Sequence, residues 1–207
     1  MKKLLFLLML LPLGLCAQVY TVRKYQNDNI PTSILLERDS LMRNLKLTPA
    51  GVYEREEIVY ADSASAQDLY LIVMETLSDW TGTDGRIDAG LDFCDKEAGM
   101  INYKGKFSLG FRDLFLGAGF YRYADFIIKV RCKDGRARII LDVPSVTAIY
   151  NKTGMRSTST IGELINQVYM AKKKERGMDF LRELVETSDN IFSKLKGRLE
   201  NPNSDVW

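Results

Sequence analysis

The chain has 207 residues, 46% of them hydrophobic, with three cysteines, no histidine, and 29 Lys and Arg against 27 Asp and Glu. Without histidine, His-based nucleophile triads, imidazole general bases and imidazole metal ligands are excluded. The net charge of +2 comes from Lys2 and Lys3, so the chain beyond residue 17 is neutral and has no whole-chain electrostatic footprint for nucleic acid.

Residues 1–17 read as a secretory signal. Lys2 and Lys3 precede an apolar run from Leu4 to Leu15, too short to span a bilayer comfortably, and Ala17 supplies the small residue at the cut. The expectation is an exported protein, periplasmic or extracellular, with no transmembrane helix in the mature chain. Cys16 offers a second reading, a lipid anchor on its thiol; Leu15 stands where lipoprotein signals place a small residue, which favours simple export. Residues 18–50 form an N-terminal arm. Val19–Tyr25 has the composition of a short strand, Asn27–Pro31 is a turn cluster, and Ile34, Leu35, Leu41, Met42 and Leu45 give helical spacing up to the break at Thr48-Pro49-Ala50-Gly51.

Residues 51–150 read as one α+β domain in the order β-α-β-β-β-β, with a helix after it. Val52–Tyr60 is a strand of poor alternation. Ser65 suits a helix N-cap, with Asp68 placed for the dipole, and Leu69, Ile72, Val73, Thr76, Leu77 and Trp80 form the buried stripe. Thr81–Gly85 ends that helix. Ile87–Phe93 is a strand expected to turn Ile87, Ala89, Leu91 and Phe93 inward. Asp95–Gly99 then turns the chain into Met100–Leu109. There Ile101, Tyr103, Phe107 and Leu109 oppose Asn102, Lys104, Lys106 and Ser108. Gly110–Tyr123 is an aromatic connection. In Ala124–Cys132 the apolar set is Phe126, Ile128, Val130 and Cys132; in Arg136–Val143 it is Ala137, Ile139, Leu141 and Val143. Asp134-Gly135 between them is a type I′ hairpin signal, and Pro144 marks a strand end or an edge. One-sided alternation predicts an antiparallel sheet with one packed and one solvated face.

Residues 151–160 read as a polar linker. Thr160 and Glu163 have the spacing of a capping box. Residues 161–200 then supply one helix, or two broken near Gly177, whose stripe Leu181, Leu184, Val185, Ser188, Ile191, Phe192, Leu195 and Leu199 should cover the sheet.

Four stretches resemble a secreted bacterial domain family of unknown function with a TBP-like fold, like half of the TATA-binding protein. They are Tyr53–Tyr60, Asp68-Leu69-Tyr70, Asp95-Lys96-Glu97-Ala98-Gly99-Met100-Ile101 leading into Lys104-Gly105-Lys106-Phe107, and Ile127–Ile140 around Lys133-Asp134-Gly135-Arg136. The resemblance spans Gly51–Tyr150 and implies a curved antiparallel sheet with helices on one face. It implies no catalytic residues, and a fold shared with a DNA-binding protein does not carry over DNA binding.

No cofactor is indicated. Gly117-Ala118-Gly119 lacks the third glycine and the strand-to-helix context of a dinucleotide loop, and there is no Cys-x-x-Cys for zinc. The acidic run Asp84, Asp88, Asp92, Asp95 and Glu97 lacks calcium-loop spacing and reads as solvated turn and strand residues. Cys132 falls on the apolar side of its strand and Cys94 on the polar side of its own, an opposition that predicts two free thiols. Two candidate interaction surfaces remain. One is the cationic outer sheet face with Lys104, Lys106, Lys129, Arg131 and Arg138, which the acids Asp92, Asp125 and Asp142 would balance in a plain solvated face. The other is the aromatic connection with Phe111, Phe115, Phe120 and Tyr121, an interaction site if exposed and part of the core if its rings fold back under the C-terminal helix.

The leading functional reading is a non-catalytic envelope binding module whose partner is an envelope protein or a small ligand. The second is a carrier of a small apolar ligand, which requires a cavity between the C-terminal helix and Ile101, Phe107, Ile128 and Ile139. The third is a carboxylate hydrolase, which requires two buried acids facing each other in a cleft.

Overall fold

Asp134-Gly135 makes the turn on which the sheet and its first helix are both seated. Lys133 and Arg136 pair directly across it, with Gly135 at φ 75°, the backbone that a two-residue hairpin loop demands. The same turn caps a helix: Asp134 Oδ1 accepts from Ala66 N at 2.8 Å, and Gly135 N donates to Ala64 O at 2.9 Å. In this computed structural model the described residues are 36, 37, 39–41, 43, 45–80, 87–115, 117–170 and 178–201. The signal segment, Val19–Tyr25, Asn27–Pro31, Thr81–Gly85 and Gly177 lie outside them.

The elements are β1 (Tyr53–Tyr60), α1 (Ala66–Ser78), β2 (Ile87–Asp95), β3 (Met100–Phe115), β4 (Ala118–Lys133), β5 (Arg136–Tyr150), β6 (Arg156–Ser159), α2 (Ile161–Met170) and α3 (Met178–Glu200). All strand pairs are antiparallel, in the order β1-β5-β4-β3-β2, with β6 added beside β5. The described residues between 36 and 43 are helical, as the spacing in the arm predicts.

One face of the sheet is packed. Ile101, Tyr103, Phe107, Leu109, Phe126, Ile128, Val130, Ala137, Ile139, Leu141 and Val143 are buried there. They share one apolar cluster with Leu69, Val73 and Leu77 of α1 and Leu184, Ile191, Phe192, Leu195 and Leu199 of α3. The space proposed for a carried ligand is filled by these side chains. Both caps form: Ser65 and Asp68 exchange hydrogen bonds at 3.2 Å in each direction, and Thr160 and Glu163 do so at 2.9 and 3.2 Å, each pair satisfying free first-turn amides. At Gly105 the strands approach so closely that a Cβ would lie 2.2 Å from Ala89 Cβ.

Four register shifts among the described residues set the sheet apart from the plain alternating pattern, one of them between Asp113 and Phe115 near the end of the β3–β4 hairpin. Leu109 and Gly110 are together opposed by Arg122 alone, with Gly110 at φ 79°, and pairing resumes at Phe111↔Tyr121. The 110–123 segment is therefore no connection: β3 runs on to Phe115 and β4 starts at Ala118. Val143 and Pro144 form a second bulge between the Asp142↔Ile127 and Ser145↔Asp125 pairs. Pro144 neither ends β5 nor lies at its edge, because a bulge needs no ladder donor from it. A third falls between Leu91 and Phe93, and it inverts the faces beyond it. Phe93 is opposite Asn102 on the uncovered side, and Cys94 is opposite Ile101 on the helix side. Leu91 and Phe93 are 48% and 47% exposed, so neither packs inward as the alternation predicts. The stretch 151–160 contains β6.

Candidate functional site: the uncovered sheet face

The helices pack against one side, and the opposite side is organised in rows by the register. Met100, Arg131, Arg138 and Ile58 make one row; Phe93, Asn102, Lys129, Ile140 and Glu56 the next; Gly90, Lys104, Ile127, Asp142 and Glu54 a third. Lys106, Asp125 and Ser145 follow, then Ser108, Tyr123, Thr147 and Thr158, and finally Phe111, Tyr121, Ile149 and Arg156. All five predicted cations lie here together. Phe111 and Tyr121 lie on the same face, their rings 4.8 Å apart at 48°. Phe120 alternates with Tyr121 and faces the helices. Of Phe115 the backbone pairs with Ala118, and its side chain lies outside the description.

The cations come with partners. Lys104 pairs with Asp92 at 2.9 Å, Lys106 with Asp125 at 3.7 Å and Lys129 with Asp142 at 2.5 Å. Arg138 holds Glu56 with both arms at 2.8 and 2.7 Å, and this bond draws the Glu56 carboxyl below the ordinary range. Arg131 Nη2 meets Met100 Sδ at 3.6 Å. Asp125 also accepts from Ser145 Oγ at 2.6 Å, while Asp142 Oδ1 is buried without a hydrogen-bond partner among the described residues. A depression of about 360 Å³ opens between Asp88, Lys104, Lys106, Asp125, Ile127 and Pro144, above the bulge. The acids are spread along the face beside their own lysines, and among the described residues no three His, Cys, Asp or Glu side chains cluster as metal ligands. Asp95 accepts from Ala98 N at 2.9 Å and closes its turn.

Exposed apolar side chains concentrate on this face. Of the nine large hydrophobics exposed among the described residues, Ile58, Tyr60, Phe93, Phe111 and Tyr121 belong to it.

Arg55 and Arg122 are polar groups on the helix side that the alternation does not predict. Arg55 shares the phase of Tyr53 and Val59, which explains the poor alternation of β1. Its guanidinium lies 4.4 Å over the Phe192 ring and binds Glu57 and Asp189. Arg122 shares the phase of Ala124 and Phe126 and is 7% exposed; that phase was its only signal. Of the thiols, both are free. They share the helix side, contrary to the expected opposition, but β3 stands between β2 and β4. Two strand spacings are about 9.6 Å, beyond the roughly 7 Å Cα reach of a disulfide.

Among solved structures the chain is similar to a DUF4468 family protein from Bacteroides ovatus ATCC 8483, with 18% identity over 78% of this chain and 94% of that one and a TM-score of 0.58. It is also similar to a TBP-like protein from Parabacteroides distasonis ATCC 8503, with 14% identity over 73% of this chain and 94% of that one and a TM-score of 0.51. No family model matches the chain, and no curated protein matches it. The fold is TBP-like: a curved antiparallel sheet with helices on one face. Among the described residues no helix is long and apolar enough to cross a membrane.

Proposed function

We propose that this chain is an exported, non-catalytic binding module of the cell envelope that engages a protein partner through the uncovered sheet face. The observation that carries this reading is the ring pair of Phe111 and Tyr121, 44% and 45% exposed and 4.8 Å apart, on the sheet face that no described helix covers, with Ile58, Tyr60 and Phe93 also exposed elsewhere on it. Exposed apolar groups set among paired charges are the surface of a protein contact. The pairing of Lys104, Lys106, Lys129 and Arg138 with local acids favours a protein over a polyanion, which needs cations free to release counterions. Dispersed acids, each beside a lysine, count against carboxylate hydrolysis, and the filled core counts against a carrier. A photo-crosslinking side chain at position 121, tested in intact cells, should give one discrete adduct that the same label at the exposed Leu71 on α1 does not. Equal labelling at both positions would sink the reading. N-terminal mass spectrometry of the recovered protein should find Gln18 first; a lipidated Cys16 would replace the free exported form by an anchored one.

A further inference from the structure

Beyond the Gly110 bulge, the helix side of the β3–β4 hairpin holds a buried charge with no bonded anion among the described residues. Arg122 is more than nine-tenths buried, and its Nε has no hydrogen-bond partner among the described residues. Phe120 and Phe180 lie against the guanidinium, their ring centres 5.8 and 5.6 Å from Cζ. Phe180 stands in the first turn of α3 (Met178–Glu200), so the buried guanidinium sits beside a helix N-terminus whose amides have no intrahelical acceptor. Burial, and then repulsion from Arg112, lower the Arg122 pKa, while Asp179 and Glu183 pull the other way through space. Asp179 is itself bound to Arg182 at 3.0 Å, and Arg182 also holds Glu37. A guanidinium keeps its proton near neutral pH, so a buried one without a bonded anion calls for a counter-ion.

We infer that Arg122 anchors a binding site for a small monocarboxylate with an apolar body, held between the guanidinium and the first turn of α3. The Nε edge of a guanidinium offers two parallel donors that match the two oxygens of a carboxylate. The ring contacts hold the fork in place and give the body of the ligand an apolar wall. A phosphate dianion fits worse: Asp179 and Glu183 would repel it, and the apolar surroundings would charge more for its desolvation. This site lies on the opposite side of the sheet from the protein contact proposed above and stands independently of it.

Benzoate is the probe, titrated by calorimetry at constant ionic strength, with benzamide as the neutral isostere and inorganic phosphate as the competing anion. The expected result is saturable benzoate binding, no binding of benzamide, and phosphate weaker than benzoate. Arg122→Met should weaken benzoate binding by roughly ten- to a hundredfold while the unliganded melting temperature stays level or rises. Arg122→Lys, which keeps the charge and loses the paired donors, should also weaken it, and it serves if the Met variant does not fold. No saturable benzoate binding, equal binding of benzamide or phosphate, or undiminished binding in the folded variants would each overturn the assignment.

Discussion

Gly105→Ala is the most incisive test of the sheet geometry. A Cβ there would lie 2.2 Å from Ala89 Cβ, 2.7 Å from Ala89 Cα and 2.7 Å from Asp88 O. Ordinary carbon contacts begin near 3.5 Å, so the shortfall is about 1.3 Å against Ala89 Cβ and about 0.8 Å against each of the two backbone atoms. No rotamer relieves a methyl group that clashes with backbone, so β2 must move away from β3. Overpacking of this kind costs about 1–3 kcal/mol, and the upper part of that range applies because the obstacle is main chain. The cost also has a ceiling. β2 is an edge strand whose residues from Asp88 to Cys94 are exposed or half-buried, so releasing it gives up little apolar burial. The expected outcome is a loss of about 2–3 kcal/mol in urea unfolding, with exchange protection lost along β2 and retained along β4 and β5. Ala89→Gly added to Gly105→Ala should restore part of the loss, since it removes the 2.2 Å contact and leaves those to Ala89 Cα and Asp88 O. A Gly105→Ala protein within about 0.5 kcal/mol of wild type and with β2 protection intact would refute the reasoning.

Ser65→Ala should cost about 1 kcal/mol through the lost bond from Asp68 N. Asp134→Ala should cost a comparable amount by freeing Ala66 N, and the double variant should depart from additivity because both groups serve the same first turn. In native protein an aromatic disulfide reagent should modify Cys94 and spare Cys132 until denaturant is added; Cys94→Ala should abolish the native reaction and Cys132→Ala should leave it unchanged. Burial pushes the Cys132 thiol up to about 11 from an ordinary 9.0. A raised folded-state pKa gives stability that is complete below the unfolded value and lost as pH rises through the folded one. Chemical denaturation from pH 9 to 11 should therefore show a shallower loss of stability in Cys132→Ala than in wild type, by roughly 2–3 kcal/mol across that window; parallel slopes would contradict it.

The reach of the sequence can be read from individual residues. Ile101, Tyr103, Phe107 and Leu109 alternate cleanly and are all buried, because a strand paired on both sides with one covered face leaves period two undisturbed. Ser65, Thr160 and Asp134-Gly135 act locally, through bonds to amides a few residues away, so their types and spacing are informative by themselves. Arg55 and Glu57 on β1 defeat the pattern because α3 crosses there with Asp189 and Phe192; a helix far along the chain makes an inward position polar. Cys94 is the sharpest case. Free thiols follow from the sequence by counting faces, but the bulge between Leu91 and Phe93 reverses the count, and it is the strand between the thiols that keeps them apart. An extra residue in one strand leaves no mark in that strand's own composition when, as here, it is not a glycine.

The bulges at Gly110 and Val143–Pro144 divide the sheet in a way that bears on where binding can occur. On the near side the helix-facing positions of β3, β4 and β5 are apolar, and they pack with Leu69 and Val73 of α1 and Leu195 and Leu199 of α3. On the far side the same face carries Arg112, Phe120 and Arg122, against the first turn of α3, and the opposite face carries Phe111 and Tyr121. These three strands are thus committed to stability there, since a polar group among them would face a closed apolar core. The far half keeps a charged group on one side and exposed rings on the other, and neither adds to the core. Without the two bulges, β3 and β5 would slip by one residue against β4 along the whole far half. Phe111 would then exchange sides with Arg112, so the same irregularities that obscure the pattern position both candidate surfaces.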